Sequence, residues 1–295
     1  ERLRGYFRSG YINDHGSREI DILGRPIPQD RAYVEWQHTQ RLSDPLTLRA
    51  QLNWWKDSEV LRDFRPQSFY PVQAPDTFVE SVHTGRNHFF SAFSRIQPNT
   101  FQSVQERLPE VRFDLLPLAI GHGWYERFNA SAAYLREDPP LGGARLRSTR
   151  FDAYQAVFRP TKPRDWTTIT PVLGGRVTHY EDTEGAARAG GTTRVLGEIG
   201  FDAELRASGI FAYQNDLWKI DSLRHLFTPR LSYRYIPEGA RGRARIPRID
   251  REVFSTYLPP LGLGDARNID DLHDTNTLRL GFDNTLQTRD PVLGS

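Results

Sequence analysis

The sequence predicts an all-β fold, an antiparallel transmembrane β-barrel of about twelve strands, and two observations carry that expectation. The first is strict alternation. Leu46, Leu48, Ala50, Leu52 and Trp54 share one parity, and Thr47, Arg49, Gln51 and Asn53 share the other. The pattern returns with Leu278, Leu280, Phe282 and Leu286 against Arg279, Asp283 and Gln287. Successive strand side chains point to opposite faces, so each segment is apolar on one side and charged on the other for about ten residues. Such a segment suits a wall between lipid and water. The second observation is that no segment approaches the roughly 18 uninterrupted apolar residues of a spanning helix. A mean hydropathy of −0.61 therefore excludes a helical membrane protein but not a barrel, whose apolar residues are diluted by alternation.

The elements follow in order. Strands are expected at about 2–13, 31–42 and 46–55, the second placing Ala32, Val34 and Trp36 opposite Arg31, Glu35 and Gln37. Ser43-Asp44-Pro45 makes a tight turn between the second and third. A connection carrying Asp57-Ser58-Glu59 and prolines Pro66, Pro71 and Pro75 comes next, with a helical turn or two over 57–64. Strands at 77–84 and 87–96 flank Gly85-Arg86, and strands at 109–117 and 123–136 flank Gly121-His122-Gly123. Then come 149–159 and 165–181, joined by Pro160-Thr161-Lys162-Pro163. After Gly191, Val195, Gly197, Ile199, Phe201, Ala203 and Leu205 alternate with Arg194, Glu198, Asp202, Glu204 and Arg206, a strand that continues toward Phe211 and Tyr213. The last two strands lie at 223–236 and 276–289. The strand at 151–158 fits neither parity, because Phe151 and Val157 oppose Tyr154 and Phe158. Pro171 and Pro229 each remove a ladder donor, so bulges are expected there. Short turns alternate with longer polar loops such as 137–149, 182–192 and 237–275, an asymmetry found in outer-membrane barrels.

Composition narrows the function. With 39 Lys+Arg against 37 Asp+Glu, the chain has no nucleic-acid-type charge excess. The absence of cysteine excludes a disulfide scaffold and a thiolate metal site in this stretch. There is no methionine, and no basic-then-apolar signal segment follows Glu1. Residues 1–295 are accordingly read as a single barrel domain, a slice incomplete at both ends.

No cofactor is expected, since the glycines form no phosphate cradle between strand and helix. Eight histidines are scattered, and none has the i, i+4 spacing of a helical zinc motif. His83 and His88 flank a turn and are the nearest approach to a metal pair; interfacial histidines are the simpler reading. A membrane-embedded hydrolase needs a Ser–His pair on the apolar face. His38 shares the parity of Trp36, but the neighbouring face of Leu46 to Trp54 holds no serine. The informative residues are those of the polar parity: Arg49, Gln51, Asn53, Arg194, Glu198, Asp202, Glu204, Arg206, Arg279 and Asp283. They are candidate lumen-lining residues, for polar solutes, a plug, or the sugars and phosphates of an amphiphile. A hydrated wall of cross-strand ion pairs accounts for each taken singly. Trp36, Trp54, Trp55, Trp124, Tyr134, Trp166, Tyr233 and Tyr235 suit interfacial girdles.

Four local patterns, in order along about 55–290, resemble the lipopolysaccharide-assembly (LptD, organic-solvent-tolerance) family. They are Asp57-Ser58-Glu59-Val60-Leu61-Arg62-Asp63-Phe64 and Glu106-Arg107-Leu108-Pro109-Glu110-Val111-Arg112-Phe113. The third runs from Leu223 through Thr228-Pro229-Arg230 to Ile236-Pro237, and the fourth is Asn276-Thr277-Leu278-Arg279-Leu280-Gly281-Phe282-Asp283-Asn284. The resemblance implies a non-catalytic translocon in the outer membrane of a Gram-negative bacterium. Its partners would be lipopolysaccharide, an outer-membrane lipoprotein that plugs the barrel, and a periplasmic transport bridge driven by an ATPase elsewhere. Family barrels have about twice the strands counted here, plus an N-terminal jellyroll that this stretch lacks. The chain ends Pro291-Val292-Leu293-Gly294-Ser295 rather than in a closing aromatic strand, so the lateral gate is expected to lie outside it. Two other readings stand beside this one. One is a self-contained barrel of about twelve strands acting as a pore, secretion channel or lipid hydrolase. The other is a soluble carbohydrate-binding β-sandwich with its apolar faces turned inward.

Overall fold

The computed structural model describes residues 2–16, 19–71, 76–140, 142–185, 191–239, 246–251 and 258–289. Glu1, Pro75, the segment Pro291 to Ser295, and parts of loops 137–149, 182–192 and 237–275 lie outside the described residues. The strands are β1 (Leu3–Asn13), β2 (Asp30–Arg41), β3 (Leu46–Trp55), β4 (Thr77–Thr84) and β5 (His88–Ile96). They continue as β6 (Glu106–Gly121), β7 (Trp124–Glu137), β8 (Leu146–Phe158), β9 (Thr161–Arg164) and β10 (Thr167–Glu184). The last four are β11 (Thr192–Leu205), β12 (Ala207–Asn215), β13 (Ile220–Ile236) and β14 (Thr275–Arg289). All belong to one antiparallel sheet, which is all-β with almost no helix. Most strands pair with their sequence neighbours; β9 lies beside β10, and β12 and β14 lie on opposite sides of β13. Among the described residues no ladder joins β1 to β14, so the sheet is open, as a partial barrel is. Among the described residues there is no second sheet for the sandwich reading to pack against, and no closure for the self-contained twelve-strand barrel.

Two strands exceed the expected twelve. The strand after Gly191 does not run unbroken into Phe211; it breaks at Arg206 into β11 and β12, and β9 is a short addition before β10. The prolines explain both. Pro171 pairs with Phe201, and Pro229 pairs with Phe282, in unshifted ladders, so neither carries the expected bulge there. On its other side β10 is paired with β8 from Val172 onward and with β9 before Pro171. Likewise β13 is paired with β12 up to Phe227 and with β11 from Arg230. A residue without an N–H costs a ladder least where the ladder is already changing partner. The shifts that do fall at prolines lie in β6, around Pro109 and around Pro117.

The connections sort onto two rims. Short ones at 42–45, 85–87, 122–123 and 216–219 share one rim with the 159–166 connection that carries β9, and longer ones at 14–29, 56–76, 97–105, 138–145, 185–191 and 237–274 share the other. The turn at 122–123 puts His122 and Gly123 at positive φ, 53° and 76°, which glycine adopts without strain. In the long 56–76 connection the helical turn expected over 57–64 forms as α1 (Val60–Phe64), and a second short helix, α2 (Pro66–Phe69), follows it. Among the described residues no helix is long and apolar enough to cross a membrane.

The two faces differ as the alternation requires. One carries Leu173, Val195, Ile199, Leu278, Leu280 and Phe282, all exposed, Leu280 at 75%. The other, here the inner face, carries Arg31, Arg150, Arg176, Arg194 and Glu198, all buried. The strand that fitted neither parity is resolved by this division. Arg150, Asp152, Tyr154 and Ala156 of β8 point inward and are buried, while Phe151 points outward.

Candidate functional site: the inner face and its loop

What buries those charges, Arg31 apart, is the connection between β13 and β14. Apolar side chains from it form small cores against the sheet. Ile249 packs on Ala133, Leu135 and Leu146. Leu263, Ile269 and Leu272 pack on Tyr154, Ala156, Leu196 and Ile236. Between these greasy contacts, the arginines reach backbone carbonyls. Arg194 donates to the carbonyls of Ile269 (2.7 Å) and Leu272 (2.9 Å). Arg176 donates to Leu263 O at 3.0 Å and to the Asp152 carboxylate at 2.8 Å. Glu198 accepts the Leu263 amide (2.6 Å) and the Tyr154 hydroxyl. Loop backbone placed on an apolar surface would leave such groups unpaired, and the polar parity of β8, β10 and β11 supplies their partners.

The tightest fastening is a buried charge cluster. Arg150 lies 2.8 Å from Asp250 and 3.0 Å from Asp270, with Glu110 at 3.6 Å. Asp250 also meets Arg107 at 3.0 Å, and Asp270 accepts the Tyr180 hydroxyl at 2.9 Å. The second oxygen of Asp270 accepts the amides of Ile249 (3.1 Å) and Asp250 (2.7 Å), tying the two ends of the loop together. Burial pushes the Asp270 carboxyl above the usual carboxylate range, despite Arg150. For Asp250 burial acts in the same direction, but Arg150 and Arg107 outweigh it and hold the carboxyl low.

A second cluster closes the same long-loop rim over β2 and β3. Arg31 is clasped by Asp57 (2.8 and 3.1 Å), Asp14 (2.9 Å) and Asp63 (2.9 Å). Arg65 meets Glu35 at 2.9 Å, and Val60 and Leu61 pack with Trp55, Tyr33 and Phe69. The acidic segment 57–64 is thus the lid over a buried arginine.

The ten candidate lining residues fall into three groups. Arg194 and Glu198 hold the loop, as described. Asp202 pairs with Arg234 at 2.7 Å, and Glu204 pairs with Arg206 (2.8 Å) and Arg230 (3.3 Å), while Arg230 reaches Asp283 at 2.8 Å. Arg279 donates to the carbonyl of Pro259 at 2.6 Å. The remaining three sit on β3, seven strands from β11 in the sheet order. Gln51 and Asn53 both donate to Asp76 O, at 2.8 and 2.7 Å, and Arg49 is 3.8 Å from Glu80. Sequence reasoning missed Arg31, Arg107, Arg150, Arg176, Asp250 and Asp270. The signal available was apolar residues in a polar loop: Ile249-Asp250 and Ile269-Asp270 are matching dipeptides, and Ile or Leu inside a long connection needs cover.

The rings of His83 and His88 stack, with centroids 5.8 Å apart, and among the described residues no group of three or more His, Asp or Glu is placed to hold a metal ion. His38 stacks on Trp36 and lies 3.2 Å from Gln40.

An open antiparallel sheet, exposed and apolar outside, charged and loop-filled inside, defines a segment of β-barrel wall. A family model described as LptD, LPS transport system D, matches residues 29–289, and the chain belongs to that family. Membership brings involvement in lipopolysaccharide transport and assembly at the Gram-negative outer membrane, in a family of transport proteins rather than enzymes. No curated protein matches the chain.

Proposed function

We propose that this sheet is part of the barrel of a translocon that inserts lipopolysaccharide into the outer leaflet of the outer membrane, with its inner face as lumen wall. The observation that carries the reading is the opposition of the two faces. Leu173, Val195, Ile199 and Leu280 stand exposed on one, and Arg194, Glu198 and Asp202 occupy the other. A large amphiphile needs both environments, hydrocarbon for its acyl chains and a hydrated polar surface for its sugars. On this reading Arg49, Gln51, Asn53, Arg194, Glu198, Asp202, Glu204, Arg206, Arg279 and Asp283 line the lumen. The short-turn rim is periplasmic, facing the transport bridge, and an outer-membrane lipoprotein occupies part of the barrel. The test is photo-cross-linking in cells from Gln51 and Asp202 on the inner face and Leu280 on the outer. Lipopolysaccharide adducts at the inner positions should vanish when the transport ATPase is depleted, while adducts at Leu280 persist. Absence of any adduct at both inner positions in transporting cells refutes the proposal.

A further inference from the structure

The described residues of the loop leave part of the inner face uncovered. Beside residues 261–267, toward the short-turn rim, lies a cavity of about 810 Å³. Among the described residues six arginines line it, Arg107, Arg112, Arg127, Arg234, Arg267 and Arg279, against three carboxylates, Glu198, Asp202 and Asp265. Most of these charges are committed. Arg107 pairs with Glu110 and Asp250, Arg112 with Asp114, Arg234 with Asp202, and Arg267 with Asp265. Glu198 is held by Tyr154 and the Leu263 amide. Two cations remain. Among the described residues Arg127 makes no hydrogen bond or ion pair, and Arg279 donates only to the Pro259 carbonyl. They stand on different walls, Arg127 on β7 and Arg279 on β14, with β8, β10, β11 and β13 between them.

We propose that this cavity is a binding site for a phosphorylated saccharide, its anionic groups divided between Arg127 and Arg279. The guanidinium fork matches phosphate geometry and stays charged at every relevant pH. A free phosphate is too small for the space, which lies within the roughly 300–1,000 Å³ of small-molecule sites. Tyr154, Phe158 and Val172 give the cavity an apolar wall for the C–H faces of sugar rings, and Thr170 adds a hydroxyl. The site rests on the transport reading, since it faces the rim by which a saccharide would enter.

The test uses the full-length protein in detergent and three probes by calorimetry: a glucosamine disaccharide carrying two phosphates, the same disaccharide without phosphate, and pyrophosphate. The phosphorylated disaccharide should bind at least tenfold more tightly than either of the others, and more weakly as salt rises. In R127Q/R279Q its affinity should fall more than tenfold, and R127K/R279K should recover most of it. Equal affinity in R127Q/R279Q overturns the proposal, and so does pyrophosphate binding as tightly as the phosphorylated disaccharide. If R127Q/R279Q does not fold, the ranking of the three probes on the unaltered protein decides. Failure here with the inner-face cross-links intact removes the site and leaves the transport reading standing; loss of those cross-links removes the reading itself.

Discussion

Arg150→Met should release one end of the loop while leaving the sheet intact. Arg150 is fully buried and is the shared cation of Asp250 and Asp270, themselves buried. Removing it strands two carboxylates where water does not reach. Breaking a buried pair from one side costs about 3–5 kcal/mol, largely the penalty of the charge left behind. Asp250 keeps Arg107, and Asp270 keeps Tyr180 and two backbone amides, so the lower end of that range is expected. At about 1.4 kcal/mol per factor of ten, a loss near 3 kcal/mol raises the population of the detached loop roughly a hundredfold. Hydrogen exchange reads this directly, because the amides of Ile249 and Asp250 are bonded to Asp270 and exchange when that bond opens. They should exchange on the order of a hundredfold faster in R150M. The Leu263 amide, held separately by Glu198, should change far less, and amides within the β10–β11 ladder should not change. R150M/D270N removes one stranded charge and should restore part of the protection, a non-additivity expected of contacting groups. If Ile249 and Asp250 exchange within threefold of the unaltered rate in R150M, the charge cluster is not what seats the loop.

Three further outcomes are expected. Arg31→Met strands Asp57 beside the partly buried Asp14 and Asp63 and should cost about 2–4 kcal/mol, read as a lower temperature for loss of the folded, heat-modifiable gel band; an unchanged temperature excludes the clasp as a structural element. Leu280→Arg on the outer face should destabilise the vesicle-inserted protein by about 2–4 kcal/mol in denaturant titration, and a cost near zero would mean that Leu280 does not face lipid. Burial opposes ionisation of Asp21, yet the Arg25 amide, the Ser58 hydroxyl, the Leu23 amide and the Arg25 side chain together hold its carboxyl below the usual range. A lowered carboxyl adds stability that is complete above its unfolded pKa of about 3.9 and is lost as pH falls through the folded value. Protection of the Leu23 and Arg25 amides should therefore decline below about pH 4, and D21N should lack that acid transition; an identical profile in D21N would show that another group is responsible.

The fold was largely legible because period-two alternation reports directly on which face a side chain takes. It located every long strand, and it placed Leu278, Leu280 and Phe282 on one face with Arg279 and Asp283 on the other, where the structure has them. It failed where a residue's neighbour is set by a distant segment. Tyr154 and Phe158 look like outward residues by type, yet Tyr154 points inward because its hydroxyl meets Glu198 and its ring covers Leu263. Alternation cannot report that, since it records parity and not what lies above the face. The break at Arg206 was hidden for a similar reason. The strand on both sides of it keeps one parity, and only the change of partner opposite Pro229 reveals two elements.

The same limit explains why the polar parity alone did not disclose a site. A row of arginines and carboxylates on one face is required of any hydrated wall, and most of this row is spent on neighbours. Arg194, Arg176 and Glu198 satisfy loop carbonyls and an amide, and Arg234 and Arg230 satisfy Asp202, Glu204 and Asp283. For Arg194, Arg176 and Glu198 those contacts offset the desolvation of a buried charge, which leaves them little to give a ligand without being displaced. The residues with capacity to spare are Arg127, which none of the loop's described residues engages, and Arg279, which gives the loop a single contact at the Pro259 carbonyl, and both border the space that the described part of the loop leaves open. Function on this face is therefore better sought where the charges are unspent than where they are most buried. The buried ones set the loop's position, and that position decides which cations remain free.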